Sequence, residues 1–335
     1  MRAAADPFGE RRKPRARARI NVLGADCSIE STDEVLLGLA LEAFGGLPQY
    51  RLDRQPCRLD VHLVLTDCGR SWTRSPEPPR PALSSGNGFL CATIDAGNFA
   101  VVDPSASRAL VCISPDMLRH RYYARYELIE LALMTLASRA QSLVPLHAAC
   151  IGLDRSGLLL MGASGSGKST LGLHALAQGM RLLSEDSAFV GTSDLLITGV
   201  PNYLHVEPSA IGFLEPGMLA QRIQRSPVIR RRSGTRKFEL DLRETPGRLA
   251  RKPLQLAATI FLSRRPAGRQ PPLKPLTQRA CLNRLRREQS YALGFSNWSA
   301  FERRVAAEIP SYELRRTEHP DIAIQELRTL LGSIS

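Results

Sequence analysis

Leu158-Leu159-Leu160-Met161-Gly162-Ala163-Ser164-Gly165-Ser166-Gly167-Lys168-Ser169-Thr170 is the stretch on which the reading of this chain turns. Its first four residues form an apolar run of strand length, and Lys168–Gln178 places Leu171, His174, Ala175 and Leu176 on one side of a helix that Gly179 stops. Between them Gly162–Ser169 satisfies G-x-x-x-x-G-K-[ST], in the strand-to-helix setting its mechanism needs. Gly162, Gly165 and Gly167 let the backbone curl so that successive N–H groups point at phosphate oxygens, joined by the positive end of the helix. Ala163, Ser164, Ser166 and Thr170 complete the cradle. Lys168 is expected to reach the β- and γ-phosphates of ATP, and the Ser169 hydroxyl to bind Mg²⁺. A glycine-rich turn that matches by chance is the bland alternative, and the flanking elements disfavour it.

Outward from the loop, Ala148–Leu153 is a second apolar strand, separated from Leu158–Met161 by the turn Asp154-Arg155-Ser156-Gly157, and Met180–Ser184 is a third. Leu254–Leu262 is a later strand, and Arg279–Arg287 and Ile322–Leu331 are helices. Strands alternating with helices imply an α/β sheet. Upstream, Leu59–Leu65, Phe89–Ile94, Phe99–Val102 and Ala109–Ile113 are short strands, with a hairpin turn at Gly97-Asn98, and Ser114–Ala140 has helical spacing behind an N-cap at Ser114. Thr73–Asn87, rich in proline and small polar residues, is expected to hold no regular element. The charged, proline-containing residues 1–19 are expected to be a disordered basic arm, residues 20–142 an α+β region, and residues 143–335 the domain carrying the loop.

Glu185-Asp186 closes the strand that follows the loop's helix, where strand ends face a ligand crevice. Phosphoryl transfer to a hydroxyl needs one carboxylate at the metal and another to accept the attacking proton, and two neighbours can supply both. An ordinary acidic surface turn is the competing reading, made weaker by the apolar strand leading into the pair. His147 stands before the first core strand; a lone histidine is usually structural, and the residue pattern alone does not promote it.

Taken together, His147, Gly162-Ala-Ser-Gly-Ser-Gly-Lys-Ser, Gly179 and Leu182-Leu183-Ser184-Glu185-Asp186 resemble, in content and spacing, the catalytic core of HPr kinase/phosphorylase and its bacterial serine-kinase relatives. The resemblance covers about 40 residues. It implies a P-loop kinase core of the HPr kinase C-terminal-domain type, preceded by a smaller α+β part. It further implies that Glu185 takes the place of the proton-transferring Asp, that Asp186 takes the second Asp near the metal with Ser169, and that His147 is the active-site histidine. Glu for Asp departs from the family pattern and leaves the division of labour open, and the family's later glycine-rich signature is not found, which weakens HPr itself as substrate. Asn98–Ala149 is similar to the region before the core in stand-alone kinases of lasso-peptide biosynthesis, which implies a precursor peptide with a C-terminal serine as substrate. The resemblance also suggests a homo-oligomer.

Composition bounds the rest. At 335 residues and 43% hydrophobic the chain can bury a sizeable core, no stretch of about 18 uncharged apolar residues spans a membrane, and no signal sequence is read, so a cytoplasmic protein is expected. Seven scattered cysteines with no Cys-x-x-Cys read as reduced thiols. The net charge of +13 is diffuse and almost entirely arginine, with only five lysines, and gives little guide to a partner. One concentration is Arg230, Arg231, Arg232 and Arg236 beside Lys237, a loop that can set a guanidinium on the γ-phosphate, although a solvated basic loop is the commoner outcome for any one arginine. Pro201–Pro208 is expected as a wall for adenine or peptide. The alternatives are an ATP-dependent regulator, a nucleic-acid-binding ATPase or a kinase of a small metabolite. Nucleic acid is disfavoured because the arm lacks interleaved aromatics.

Overall fold

Two burial patterns divide the chain into two units: strands near the start of the chain alternate buried and more exposed side chains, and those around the phosphate loop are buried on both faces. The structure, a computed structural model, describes residues 13–52, 57–67, 72, 77–245 and 249–334. One unit is Met1–Gly46 with Pro56–Gln141; the other is Leu47–Gln55 with Ser142–Ser335.

In the first unit seven strands, β1 (Ala16–Val22), β2 (Ala25–Ser31), β3 (Arg58–Leu65), β4 (Ala82–Gly86), β5 (Phe89–Asp95), β6 (Asn98–Asp103) and β7 (Arg108–Ile113), form one mixed sheet in the order β1-β2-β3-β7-β6-β5-β4. Helix α1 (Glu34–Phe44) is capped by Asp33, whose carboxylate accepts from the N–H groups of Val35 (2.8 Å) and Leu36 (3.1 Å), and it buries Leu36, Leu39, Ala40 and Ala43. Three expectations change here. Residues 16–19 are strand, paired with β2, and the remainder of the expected arm up to residue 12 lies outside the described residues, as do residues 73–76 of the expected loop. The loop also contains β4, because Asn87 (φ 50°) and Gly88 (φ 86°) are both left-handed, the requirement of a tight hairpin turn, and fold β4 onto β5. Prolines earlier in the stretch had masked that signal. Finally, the expected single helix over 114–140 is divided into α2 (Pro115–Leu118), α3 (Arg121–Tyr123), a π-helical turn (Ala124–Glu130) and α4 (Leu131–Ala140). The widened turn carries Arg125, buried and ion-paired to Glu42 (2.7 Å) and Glu130 (3.1 Å).

The second unit holds β8 (Leu143–Leu146), β9 (Ala148–Leu153), β10 (Ser156–Met161), α5 (Lys168–Ala177), β11 (Arg181–Ser184), β12 (Ala188–Gly191), β13 (Leu196–Gly199), β14 (Tyr203–Val206), α6 (Pro208–Ile211), α7 (Met218–Arg225), β15 (Val228–Arg230), β16 (Arg236–Asp241), β17 (Leu254–Pro266), β18 (Leu273–Pro275), α8 (Gln278–Glu288), α9 (Trp298–Glu308), β19 (Ser311–Arg316) and α10 (Pro320–Ile334). A nine-stranded sheet runs β11-β9-β10-β17-β13-β12-β8, with β19 on β17 and β18 on β19, and β14-β16-β15 form a small separate sheet. The large sheet is buried on both faces, which is why β10 reads as an unbroken apolar run. Leu158 and Leu160 face α5 and α10, packing with Leu173, Ile324 and Leu327, while Leu159 and Met161 face α8 and α9, packing with Leu285, Trp298 and Phe301. Each such leucine contributes roughly 1.5–3 kcal/mol by leaving water. Tyr50, from the earlier segment Leu47–Gln55, joins the second core and donates to the Ala250 carbonyl at 2.8 Å.

Strand direction positions the site. β9 is antiparallel to both β10 and β11, and β10 is parallel to β17. The C-terminal ends of β10, β11 and β17 therefore meet the N-terminal end of β9 at one edge of the sheet.

Candidate active site

That edge collects most of the residues the sequence singles out. The hairpin β9–β10 has arms of equal length, with Ala148 opposite Met161, so the residue before one arm, His147, emerges beside the residue after the other, Gly162. β11 delivers Glu185 and Asp186 on the far side of β9. His147, Lys168, Ser169, Thr170, Glu185 and Asp186 line a single cleft of about 200 Å³. Gly162, Ala163 and Ser166 face a second hollow with Arg264 and Arg265 on the other side of the loop.

The loop's backbone depends on glycine, at Gly165 (φ 73°) and at the two glycines flanking it in the motif. At Gly162 a Cβ would meet the Ser166 Oγ at 2.6 Å, and Gly167 (φ 102°), the residue before α5, is in the left-handed region that side chains disfavour. The first N–H groups of α5 have no partner inside the helix and point at the cradle. Arg264, at the end of β17, braces the loop by donating to the Ser164 carbonyl at 2.9 Å. The Ser166 hydroxyl is buried with no hydrogen-bond partner among the described residues.

Lys168 is only 6% exposed. Its ammonium donates to the Gly162 carbonyl (2.7 Å) and to His147 Nε2 (2.9 Å). Burial pushes the ammonium pKa down, against the pull of the Asp186 and Glu185 charges. An ammonium has no lone pair, so His147 Nε2 accepts and the ring's proton sits on Nδ1, which lies 3.2 Å from Asp186 Oδ1. Burial, the largest influence, also lowers the His147 pKa and favours this neutral form. The backbone of His147 is clamped: its N–H donates to Gln289 Oε1 (2.8 Å), and Gln289 Nε2 donates to its carbonyl (3.3 Å). Gln289 follows α8 and is fully buried. The Asp186 side chain is 29% exposed, and its other oxygen lies 3.6 Å from an Arg231 guanidinium nitrogen. Arg231 comes from the β15–β16 hairpin, whose tip is closed by the Gly234 N–H donating to the Arg231 carbonyl (2.8 Å).

Glu185 has different company. One oxygen accepts from the Ser169 hydroxyl (2.8 Å) and the other faces His205 Nδ1 (2.6 Å), while His205 Nε2 faces Glu239 Oε1 at 3.2 Å. The three side chains form a buried carboxylate–imidazole–carboxylate line. Burial by itself raises the Glu185 pKa and lowers that of His205, but the charge and hydrogen bonds between them win, holding Glu185 well below and His205 well above the ordinary range. The imidazole is therefore a cation with each N–H aimed at a carboxylate. Residues 201–208, expected as a ligand wall, supply this imidazole, and Glu207 lines the cleft.

His205, Glu239 and Gln289 were not singled out from the sequence. His205 sits in an apolar strand, Tyr203–Val206, where a lone histidine has no local signal, and Glu239 and Gln289 are 34 and 142 residues from the groups they hold. Of the loop arginines, Arg231 reaches the acidic pair at Asp186.

No protein-family model matches the chain, and no curated protein matches it. Among solved structures it is similar to the HPr(Ser) kinase/phosphatase from Coxiella burnetii, at 14% identity and a TM-score of 0.30, over 55% of this chain and 94% of that one.

Proposed function

We propose that the chain is a kinase that transfers the γ-phosphate of ATP, with Mg²⁺, to the serine hydroxyl of a peptide or protein. The observation that carries this reading is the separation of the two neighbouring carboxylates: Glu185 is bound to Ser169, and Asp186 is bound to His147 beside Lys168.

The donor set suits magnesium. Ser169 Oγ and Glu185 Oε1 lie 2.8 Å apart, and Mg²⁺ is commonly held by one or two carboxylates with hydroxyl, water and phosphate oxygens. When bound, the ion neutralises charge on the phosphates. This arrangement favours Glu185, with Ser169, as the metal-side carboxylate and Asp186 as the base, the reverse of the roles the family resemblance implies. Glu185 is buried, engaged at both oxygens and too weakly basic to take a proton, whereas Asp186 is partly open. The His147 Nδ1–H holds Asp186 in place. The serine oxygen forms its bond to the γ-phosphorus as the bond to the bridging oxygen of ADP breaks, and the serine proton passes to Asp186. Lys168, the loop N–H groups and Arg231 carry the charge that builds on the transferred group.

As acceptor we favour the C-terminal serine of a lasso-type precursor peptide, supported by the similarity of Asn98–Ala149 to kinases of that kind. The phosphate loop is equally compatible with an ATP-dependent regulator or ATPase, and no helix among the described residues is long and apolar enough to cross a membrane. The test is incubation with γ-labelled ATP, Mg²⁺ and a panel of serine-ended peptides. Label is expected on serine, lost in Asp186→Asn while ATP still binds. ATP hydrolysis with no labelled hydroxyl, stimulated by nucleic acid and suppressed by salt, would instead support the ATPase reading.

A further inference from the structure

A further cavity, about 570 Å³ in volume, lies at the other end of α5 from the phosphate loop, between the end of that helix, the segment Phe213–Leu219 and the start of α10. Its size falls in the range of small-molecule sites, roughly 300–1,000 Å³. The lining is mostly apolar, and two large apolar side chains stand open to solvent there, Phe213 at 41% and Met218 at 89% exposure. Phe213 also lines the hollow beside Gly165, Gly167 and Thr170, so one ring borders both spaces.

Glu215, Arg222 and Thr245 also reach this wall, and the polar groups from α5 and α10 are organised. Asp321 accepts from Gln178 Nε2 (2.7 Å) and faces His174 Nδ1 (2.7 Å). Burial works to raise the Asp321 pKa, and the hydrogen bonds from His174 and Gln178 outweigh it, so the carboxylate is held ionised and can only accept. Nδ1 then carries a proton towards Asp321, and Nε2 is the ring nitrogen turned away from that carboxylate. His174 is 1% exposed, and its Nε2 has no hydrogen-bond partner among the described residues. The ring is enclosed edge-on by Phe213 and His319. A buried polar atom without a partner is costly, and in the wall of a hollow of this size it marks where a ligand's polar atom belongs.

We propose that this cavity is a binding site for a small, largely apolar molecule carrying one O–H or N–H donor, which it presents to His174 Nε2. The site is separate from the phosphate cleft and does not depend on the kinase reading.

The probes are indole, a flat apolar ring with one N–H, and indene, of nearly the same shape and without it. Binding to the full chain is followed through the imidazole nitrogens of ¹⁵N-histidine-labelled protein. Indole is expected to shift the His174 Nε2 resonance saturably and to bind roughly 5- to 100-fold more tightly than indene. His174→Phe should abolish that preference. Because this change removes a buried hydrogen bond and can disturb folding, Leu219→Trp, which fills the cavity and leaves the His174–Asp321 pair intact, should independently abolish binding of both probes. Equal affinity for indole and indene, or no movement of the His174 signal up to the solubility of indole, overturns the proposal and leaves a cleft that holds water only.

Discussion

Replacing His205 by leucine tests the buried charge line most directly. The substitution removes the cation between Glu185 and Glu239 and leaves two carboxylates in a site that is almost closed to water. Moving the imidazole from its ordinary 6.5 to about 9 corresponds to about 3 kcal/mol at neutral pH, in the same range as the ~3–5 kcal/mol typical of breaking a buried ion pair. The pH dependence is more diagnostic than the size. A raised histidine stabilises fully below pH 6.5 and loses that contribution as pH climbs through about 9; a depressed glutamate, here near 2 against an ordinary 4.5, stabilises above 4.5 and loses it as pH falls towards 2. The natural protein should therefore be flat from about pH 4.5 to 6.5 and weaken above. In His205→Leu, Glu185 loses the cation it is hydrogen-bonded to and keeps only the weaker pull of Arg231, its pKa rises, and the variant gains stability as pH falls. Urea unfolding, followed through the buried Trp298 of the same unit, should give a difference that is largest near pH 6–7 and shrinks on both sides. A difference below about 1 kcal/mol, or one that does not vary with pH, would refute the reasoning.

Five further substitutions probe the same geometry. Lys168→Ala should abolish phosphate transfer with the fold intact, checked by label transfer and circular dichroism. Asp186→Asn should lower kcat by about 10²- to 10⁴-fold with little change in the KM for ATP, whereas Glu185→Gln should chiefly raise the Mg²⁺ concentration needed, seen in metal titrations of the rate. Gly167→Ala meets no atom within 4 Å, so its cost is backbone strain alone, about 1–2 kcal/mol by thermal unfolding, with weakened nucleotide binding. Gln289→Leu leaves the His147 N–H unpaired, which should cost about 1–3 kcal/mol and lower transfer by loosening a residue that it touches only through the main chain.

The loop, its strand and its helix were legible because their information is local: glycines where the backbone must turn left, an apolar run, a helical stripe. Glu185-Asp186 was reached from its place at the end of a strand and His147 only through the family resemblance, and their meeting is a matter of strand direction, since β9 reverses between two strands that point the same way. That reversal is invisible to hydrophobic pattern, because both faces of the sheet are buried and every strand reads alike. The same limit applies to Gln289 and Glu239, whose partners are fixed by tertiary packing. In the first unit the misreadings were of a different kind. Proline-rich context hid the Asn87-Gly88 hairpin turn, and an unbroken helical period over 114–140 concealed the π turn at Arg125.

The clamp on His147 carries a consequence for the order in which the site is assembled. The Lys168–His147 and Ser169–Glu185 contacts close over 21 and 16 residues, and the His205–Glu239 contact over 34, but Gln289 reaches His147 across 142. Short-range closures form early and long-range ones late. During refolding, pulse-labelled amides of α5 from Leu171 onward should become protected before that of His147, and protection of both in one phase would contradict this order. A nascent chain would then own a nucleotide cradle well before it owns a fixed histidine, so that capture of the phosphate donor and competence to use it arrive as separate events.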